Sequence, residues 1–273
     1  MKNPNSLQHS KSAAITAFET NETYFSMMRD WHRQHDGIAV EPRVKRTIEA
    51  HCKAGARILD AGCGEGSVTR FLASRYSDVA FYGVDVSPIG VSMASDGAPK
   101  NANFSISLLT KTKFENNFFD LIFSQSVIEH VEDWKGMLRE MHRILKPGGT
   151  LMIRVENGGR EEKHLFQALT DVVLGRNQVH AHEPSFELTP GDLKAHMSNF
   201  DVHEIPSEIL ERTMKQMGFS VALSTCQETL SNGSTGWKKI VLQFIGKRSS
   251  WPFKHAGYTT IAVGVKSTST NPR

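Results

Sequence analysis

Apolar and polar positions change their period repeatedly along the chain, and between residues 56 and 156 they do so in a regular order. ARILDAG (56–62) is a short apolar run that ends in a glycine turn, so it predicts a buried strand. SVTRFLASRY (67–76) predicts a helix with Ser67 near its start, and VAFYGVD (79–85) a second strand. SPIGVSMAS (87–95) opens another helix, with Ser87 as N-cap and Pro88 at N1. NFSISLL (103–109) and FFDLIFSQ (118–125) predict strands three and four. DWKGMLREMHRIL (133–145) sets Trp134, Met137, Leu138, Met141 and Leu145 on one helical face. KPGG (146–149) stops that helix, and TLMIRVE (150–156) predicts a fifth strand.

Strands that alternate with helices imply a mostly parallel sheet with right-handed crossovers. The strands are apolar throughout, which fits a sheet covered on both faces. Outside this block the rhythm differs. Residues 1–20 are polar, with a short helix at Ala13–Thr20, and the next stretch holds the aromatics Tyr24, Phe25 and Trp31. EPRVKRTIEAHCK follows, with Val44, Ile48 and Cys52 at spacings of four on one helical face. Residues 157–205 are rich in His, Asn, Gly and charge, with a helix expected at 162–174. A helix at 206–217, a strand at 218–226, a polar loop and a last strand at 259–266 complete the chain. The last two strands read as a hairpin-like pair.

The expected fold is therefore α/β: a Rossmann-like, doubly wound, seven-stranded, mostly parallel sheet with helices on both faces. An N-terminal helical lid and a cap inserted after the fifth strand are added to it. The divisions are an arm and lid (1–41), a Rossmann-like core (42–156), a cap (157–217) and strands completing the sheet (218–273).

Composition narrows the function classes. A chain of 273 residues with a formal net charge of +3 lacks the strong basic bias of a dedicated nucleic-acid binder, so no such partner is expected. No apolar run reaches the roughly 18 residues of a membrane span, and the N-terminus has no apolar signal core. Cys52, Cys63 and Cys226 are scattered and form no CxxC pair, so neither a disulfide framework nor a zinc site is suggested. A reducing cytoplasm is the expected location.

The chemistry concentrates in LDAGCGEGS (59–67). A strand delivers Asp60 to its carboxyl edge, and Gly62, Gly64 and Gly66 then turn the chain tightly into a helix. Glycine is expected here because a side chain would collide with a closely approaching ligand. Ligands of open α/β sheets bind at this edge. The dinucleotide fingerprint needs a third glycine at position 67, where this chain has serine. Asp60 would also repel a pyrophosphate, whereas it suits a cofactor with a cationic amino-acid end. Asp85 closes the second strand 25 residues after Asp60. A carboxylate there can accept hydrogen bonds from both hydroxyls of a ribose.

Taken together, LDAGCGEG, GVDVS, FDLIFSQSVIEHVED and LKPGGTLMI resemble the class I S-adenosylmethionine (SAM)-dependent methyltransferases, of the broad type that modifies small molecules. The resemblance covers residues 42–156. It implies SAM as cofactor, with Asp60, Gly62, Cys63 and Gly64 on the methionine part, Asp85 on ribose, and Val86 and Ser87 beside adenine. The family places an acid after the third strand, near the adenine amino group. Here Leu108, Leu109 and Thr110 stand instead, which implies more apolar packing of that ring.

Methyl transfer is an in-line displacement with a neutral leaving group, so most of the catalysis can come from positioning the acceptor. An oxygen acceptor also gains from a general base. Ser124, Gln125 and Ser126 offer polar contacts to cofactor at the end of the fourth strand. His130 can act as the base or contact SAM, or else it and Glu129 orient the loop. His180 and His182 alternate in the 157–217 segment and would point the same way from an extended chain. They suit a base, a substrate contact, a metal site shared with Glu183, or an exposed polar loop; no metal is assigned. Arg154, Glu156 and Asn157 line the pocket or simply end the strand. Tyr24, Phe25 and Trp31 form an aromatic lid or pack in the core.

The function expected is transfer of a methyl group to an oxygen or nitrogen of a small-molecule metabolite or natural product. A homodimer is compatible with the sequence, and no membrane partner is expected. The alternatives are an RNA or protein methyltransferase, a noncatalytic module of the same fold, or a NAD-dependent oxidoreductase. An amino-base methylase would carry a proline-aromatic motif where this chain reads SQSV.

Overall fold

The computed structural model describes residues 22–34, 42–156, 205–226 and 259–268. In chain order the elements are α1 (Glu22–Gln34), α2 (Pro42–His51), β1 (Arg57–Ala61), α3 (Ser67–Arg75), β2 (Ala80–Asp85), α4 (Pro88–Ser95) and β3 (Ala102–Ile106). After them come β4 (Phe119–Gln125), a 3-10 turn (Ile128–His130), α5 (Trp134–Ile144), β5 (Leu145–Glu156), α6 (Ser207–Gln216), β6 (Phe219–Cys226) and β7 (Thr259–Lys266).

The sheet has seven strands in the order β3-β2-β1-β4-β5-β7-β6. Pairings from β3 through β5 are parallel, while β7 runs antiparallel to both β5 and β6. The seven-stranded α/β architecture and the terminal antiparallel pair are thus as the sequence predicts. The order reverses between β1 and β4, so a crevice opens at their carboxyl ends, as in other open α/β sheets.

Two cores lie on opposite faces of the sheet. On one face Leu59, Ile122, Leu151 and Ile153 pack with Met137, Leu138 and Met141 of α5 and Leu210 and Met214 of α6. On the other, Ile58, Leu121, Phe123 and Met152 pack with Val44 and Ile48 of α2 and Leu72 and Ala73 of α3. Successive residues such as Ile58 and Leu59 serve opposite cores, as the pleat of a strand requires.

Two strand boundaries differ from the expected ones. β5 begins at Leu145, directly after α5, because Leu145 pairs with Phe119 before KPGG shifts the register to Leu121 and Thr150. β3 ends at Ile106, since Leu108 and Lys111 bridge across a tight turn. Helix ends are secured as the local signals suggest. Ser87 Oγ accepts from the Gly90 N–H, and Asp133 caps α5 by accepting from the Gly136 N–H. Asn101 closes α3 by donating to the carbonyls of Ala73, Tyr76 and Val79. Lys266 Nζ donates to the carbonyls of His142 and Leu145, which ties β7 to the end of α5. Among the described residues no helix is long and apolar enough to cross a membrane. The helices expected at 13–20 and 162–174 lie outside the described residues, as do residues 157–204 of the expected cap.

Candidate functional site

The glycine turn sits at the carboxyl end of β1, stitched to β2. The N–H groups of Gly62 and Cys63 both donate to the Val84 carbonyl at 2.8 and 3.0 Å, and Gly66 N–H donates to Cys63 O at 2.9 Å. Gly62 (φ 89°) and Gly66 (φ 77°) occupy the left-handed region. Their neighbours are protein atoms. A Cβ on Gly62 would lie 2.4 Å from Val127 Cγ2, and one on Gly66 would lie 2.6 Å from Ala94 Cβ. These two glycines therefore let the loop pack closely against Val127 after β4 and Ala94 of α4.

Three carboxylates gather at this turn. Asp85 ties the loop after β1 to the loop after β2: its Oδ2 accepts from the Gly64 N–H and its Oδ1 from the Ser87 N–H, both at 2.9 Å. Burial pushes its pKa up, and the backbone hydrogen bonds from Ser87, Gly64 and Val86 pull in the opposite direction. Asp60 is buried, and Thr69 Oγ1 donates to its Oδ2 at 2.7 Å. Burial, with the charges of Asp85 and Glu65 added, raises its pKa to about 7 despite the Thr69 bond. Glu65 is buried within the turn, with His32 Nδ1 of α1 standing 3.2 Å from its Oε1. That is ion-pair distance without hydrogen-bond alignment. Burial would raise the Glu65 pKa, but its His32 and Ser67 contacts outweigh burial and hold it below the usual value.

Such an arrangement is electrostatically unfinished: it favours a ligand that brings positive charge and hydroxyl donors. A pH dependence follows. Below about pH 7 Asp60 holds its proton, and a cationic ligand requires the ionised form. Affinity for such a ligand is expected to rise as pH increases through about 7, with a proton released on binding below that value. Calorimetry at pH 6 and 8, in buffers of differing ionisation enthalpy, reads both effects; pH-independent affinity with no proton release would contradict this account.

Helix α1 lies across the turn. Phe25 is 2% exposed, and its ring is 3.4 Å from a Cβ built on Gly64 and 3.1 Å from one built on Gly90. Tyr24 meets Phe25 edge to face, and burial followed by the charges of Glu65 and Asp85 raises its phenol pKa to about 12. Tyr24 and Phe25 are therefore packed at the turn itself. Trp31 is on the same helix, with its side chain outside the described residues.

The remaining sequence candidates separate into several groups. Ser124 is fully buried and its hydroxyl donates to Ala61 O at 2.8 Å, so that group fastens β4 to β1 and is not offered to a ligand. Gln125 is half-buried. Ser126 is exposed at φ 51°, accepts from Arg154 Nη1 at 2.7 Å, and returns its N–H to Arg154 O. His130 ends the 3-10 turn that follows, half-buried, beside the buried Glu129. Val127, just before that turn, is the residue Gly62 would strike, so His130 is carried on a loop packed against the glycine turn. Cys63 is buried, and burial raises its thiol pKa far above the ordinary value, as suits a packing residue. Val86 is half-buried between Asp85 and the Ser87 cap.

Leu109 is buried and packs with the core on the α5 face of the sheet. Leu108 and Ile106 are each 56% exposed instead, and Ile106 pairs in register with Asp85. An apolar platform thus flanks Asp85, made by one expected residue and one unexpected one. Glu156 and Asn157 stand at the edge of the described residues, without described side chains, and His180, His182 and Glu183 lie outside them. Glu65, His32 and Val127 escaped the reading of the sequence. The only signal for the His32–Glu65 contact is a polar residue between two glycines.

Residues 59–153 match the family model described as a methyltransferase domain. Phosphoethanolamine N-methyltransferase 3 of Arabidopsis thaliana is 34% identical over 104 residues, covering 37% of this chain and 21% of that protein. The chain thus spans about a fifth of the length of that relative. Trans-aconitate 2-methyltransferase of Variovorax paradoxus is 26% identical over 141 residues, covering 50% of this chain and 54% of that one. Among solved structures, Haemonchus contortus phosphoethanolamine N-methyltransferase 2 in complex with S-adenosyl-L-methionine superposes with a TM-score of 0.61 at 18% identity. That superposition covers 95% of this chain and 61% of the other, and shows a shared fold.

Proposed function

We infer, from a core that is a class I SAM-dependent methyltransferase domain, that this chain transfers a methyl group from SAM to an oxygen or nitrogen of a small-molecule acceptor. The observation that carries the reading is the acidic, internally bonded glycine turn. Asp60, Glu65 and Asp85 surround it, and they fit a ligand bearing a sulfonium, an ammonium and a ribose diol. A pyrophosphate at the same turn would meet three carboxylates, which argues against a nicotinamide dinucleotide.

SAM, when bound, supplies the activated methyl group. Asp60 and Glu65 then offset its positive charge, Asp85 accepts from the ribose hydroxyls, and Ile106 and Leu108 cover the adenine face. Gln125 and Ser126 line the end of β4 toward the acceptor. His130 is the proposed base, taking a proton from the acceptor oxygen or nitrogen as it is methylated. The part of the 157–217 segment that precedes α6, with His180 and His182, is the proposed acceptor cap, since α6 itself packs against the sheet. Both relatives above act on small molecules by their names, and this supports the acceptor class.

Calorimetric titration with SAM, using NAD as the control ligand, tests the cofactor. Micromolar SAM binding without NAD binding is expected, and the reverse result would overturn the assignment. Turnover of single His130→Gln, His180→Gln and His182→Gln variants then tests the base. One of them should lose about 100-fold or more in kcat. Full turnover by all three would remove histidine base catalysis.

A further inference from the structure

Arg29 lies on α1 four residues after Phe25 and three before His32, so all three share one face of the helix. Phe25 touches Gly64 and Gly90, and His32 touches Glu65, so this is the face turned to the glycine turn. Arg29 Nε is buried and meets no hydrogen-bond partner among the described residues. Arg29 as a whole is half-buried and its guanidinium cannot shed its charge, so its unmatched Nε–H favours an anion.

The N–H groups of Gly62, Cys63, Gly64 and Gly66 are spent on internal acceptors, and the ionisable oxygen groups of the turn are the carboxylates of Asp60, Glu65 and Asp85, which repel an anion. SAM, however, ends in an amino acid, whose ammonium suits those carboxylates and whose own carboxylate does not. Arg154, the cation at the β4–β5 end, already gives Nη1 to Ser126.

We propose that Arg29 binds the cofactor by pairing with the amino-acid carboxylate of SAM, so that α1 contributes a positive partner to a site rich in carboxylates. This rests on the cofactor reading above. A further consequence is that α1 is fastened more firmly when cofactor is present, because Arg29 then gains its missing partner.

The test compares SAM with decarboxylated SAM, S-adenosyl-3-methylthiopropylamine, by calorimetry on the full chain. The wild-type protein is expected to prefer SAM by about 10- to 100-fold. Arg29→Met should abolish that preference by weakening SAM alone, and Arg29→Lys, which keeps the charge but not the fork, should retain part of it. Equal wild-type affinity for the two ligands overturns the proposal while leaving SAM as cofactor. Equal loss of both ligands in Arg29→Met also overturns it, since Arg29 would then only support the helix. A wild-type protein that binds neither ligand overturns the cofactor reading itself.

Discussion

Gly66→Ala is expected to lower folding stability by about 3 kcal/mol. Two costs combine at this position. The backbone sits at φ 77°, where an L side chain costs about 1–2 kcal/mol. The new Cβ would also lie 2.6 Å from Ala94 Cβ, 2.9 Å from Phe104 Cε1 and 3.1 Å from Ala94 Cα. Ala94 has no rotamer to move and its Cα belongs to α4, so the helix must shift away from the turn. Overpacking of this kind costs about 1–3 kcal/mol. A melting temperature lower by roughly 6–12 °C is the expected reading for a domain of this size.

Gly97→Ala provides the control. Its backbone is also left-handed, at φ 60°, but the nearest atom to an added Cβ is Arg70 Nη2 at 3.9 Å, an ordinary van der Waals contact. Only the conformational cost should remain, about 1–2 kcal/mol. Thermal unfolding of the two variants beside the wild type separates strain from packing. Equal destabilisation would show that α4 gives way freely and that Gly66 matters only for its backbone.

Gly66 also illustrates what the sequence can convey. A glycine at a strand-to-helix turn is legible as a backbone requirement, but its steric partner Ala94 is 28 residues away and belongs to a different helix. The strands were legible for a related reason: apolar runs bounded by turns are local, and β1, β2, β4 and β7 begin and end within about two residues of the expected positions. β5 departs because Leu145 finds Phe119 across the sheet, a pairing that no local pattern encodes. Asp60 and Asp85 stand out because strand ends put them at the edge of the sheet. Ser124 stands at the same edge, but alternation along β4 turns its hydroxyl inward to Ala61. The contribution of α1 was the hardest to see. Its residues Phe25, Arg29 and His32 follow helical spacing, but only the folded chain shows that this face meets the glycine turn.

Asp85→Ala is expected to reduce SAM affinity by about 1–3 kcal/mol, or roughly 5- to 150-fold. The carboxylate has two roles that the substitution removes together. One is to accept from the ribose hydroxyls of the proposed cofactor. The other is to hold Gly64 N–H and Ser87 N–H, which belong to the loops after β1 and β2. Loss of the second role leaves two backbone donors to find other partners and loosens the turn before any ligand arrives. Asp85→Asn keeps one acceptor oxygen and presents an amide NH2 to the other donor, so it should fall between the wild type and Asp85→Ala. The roles separate when S-adenosylhomocysteine is compared with its analogue lacking both ribose hydroxyls. If Asp85 reads the diol, Asp85→Ala weakens the complete ligand far more than the dideoxy analogue. Equal weakening of both would mean that Asp85 acts through the shape of the glycine turn alone, and unchanged affinity for the complete ligand would remove Asp85 from the site.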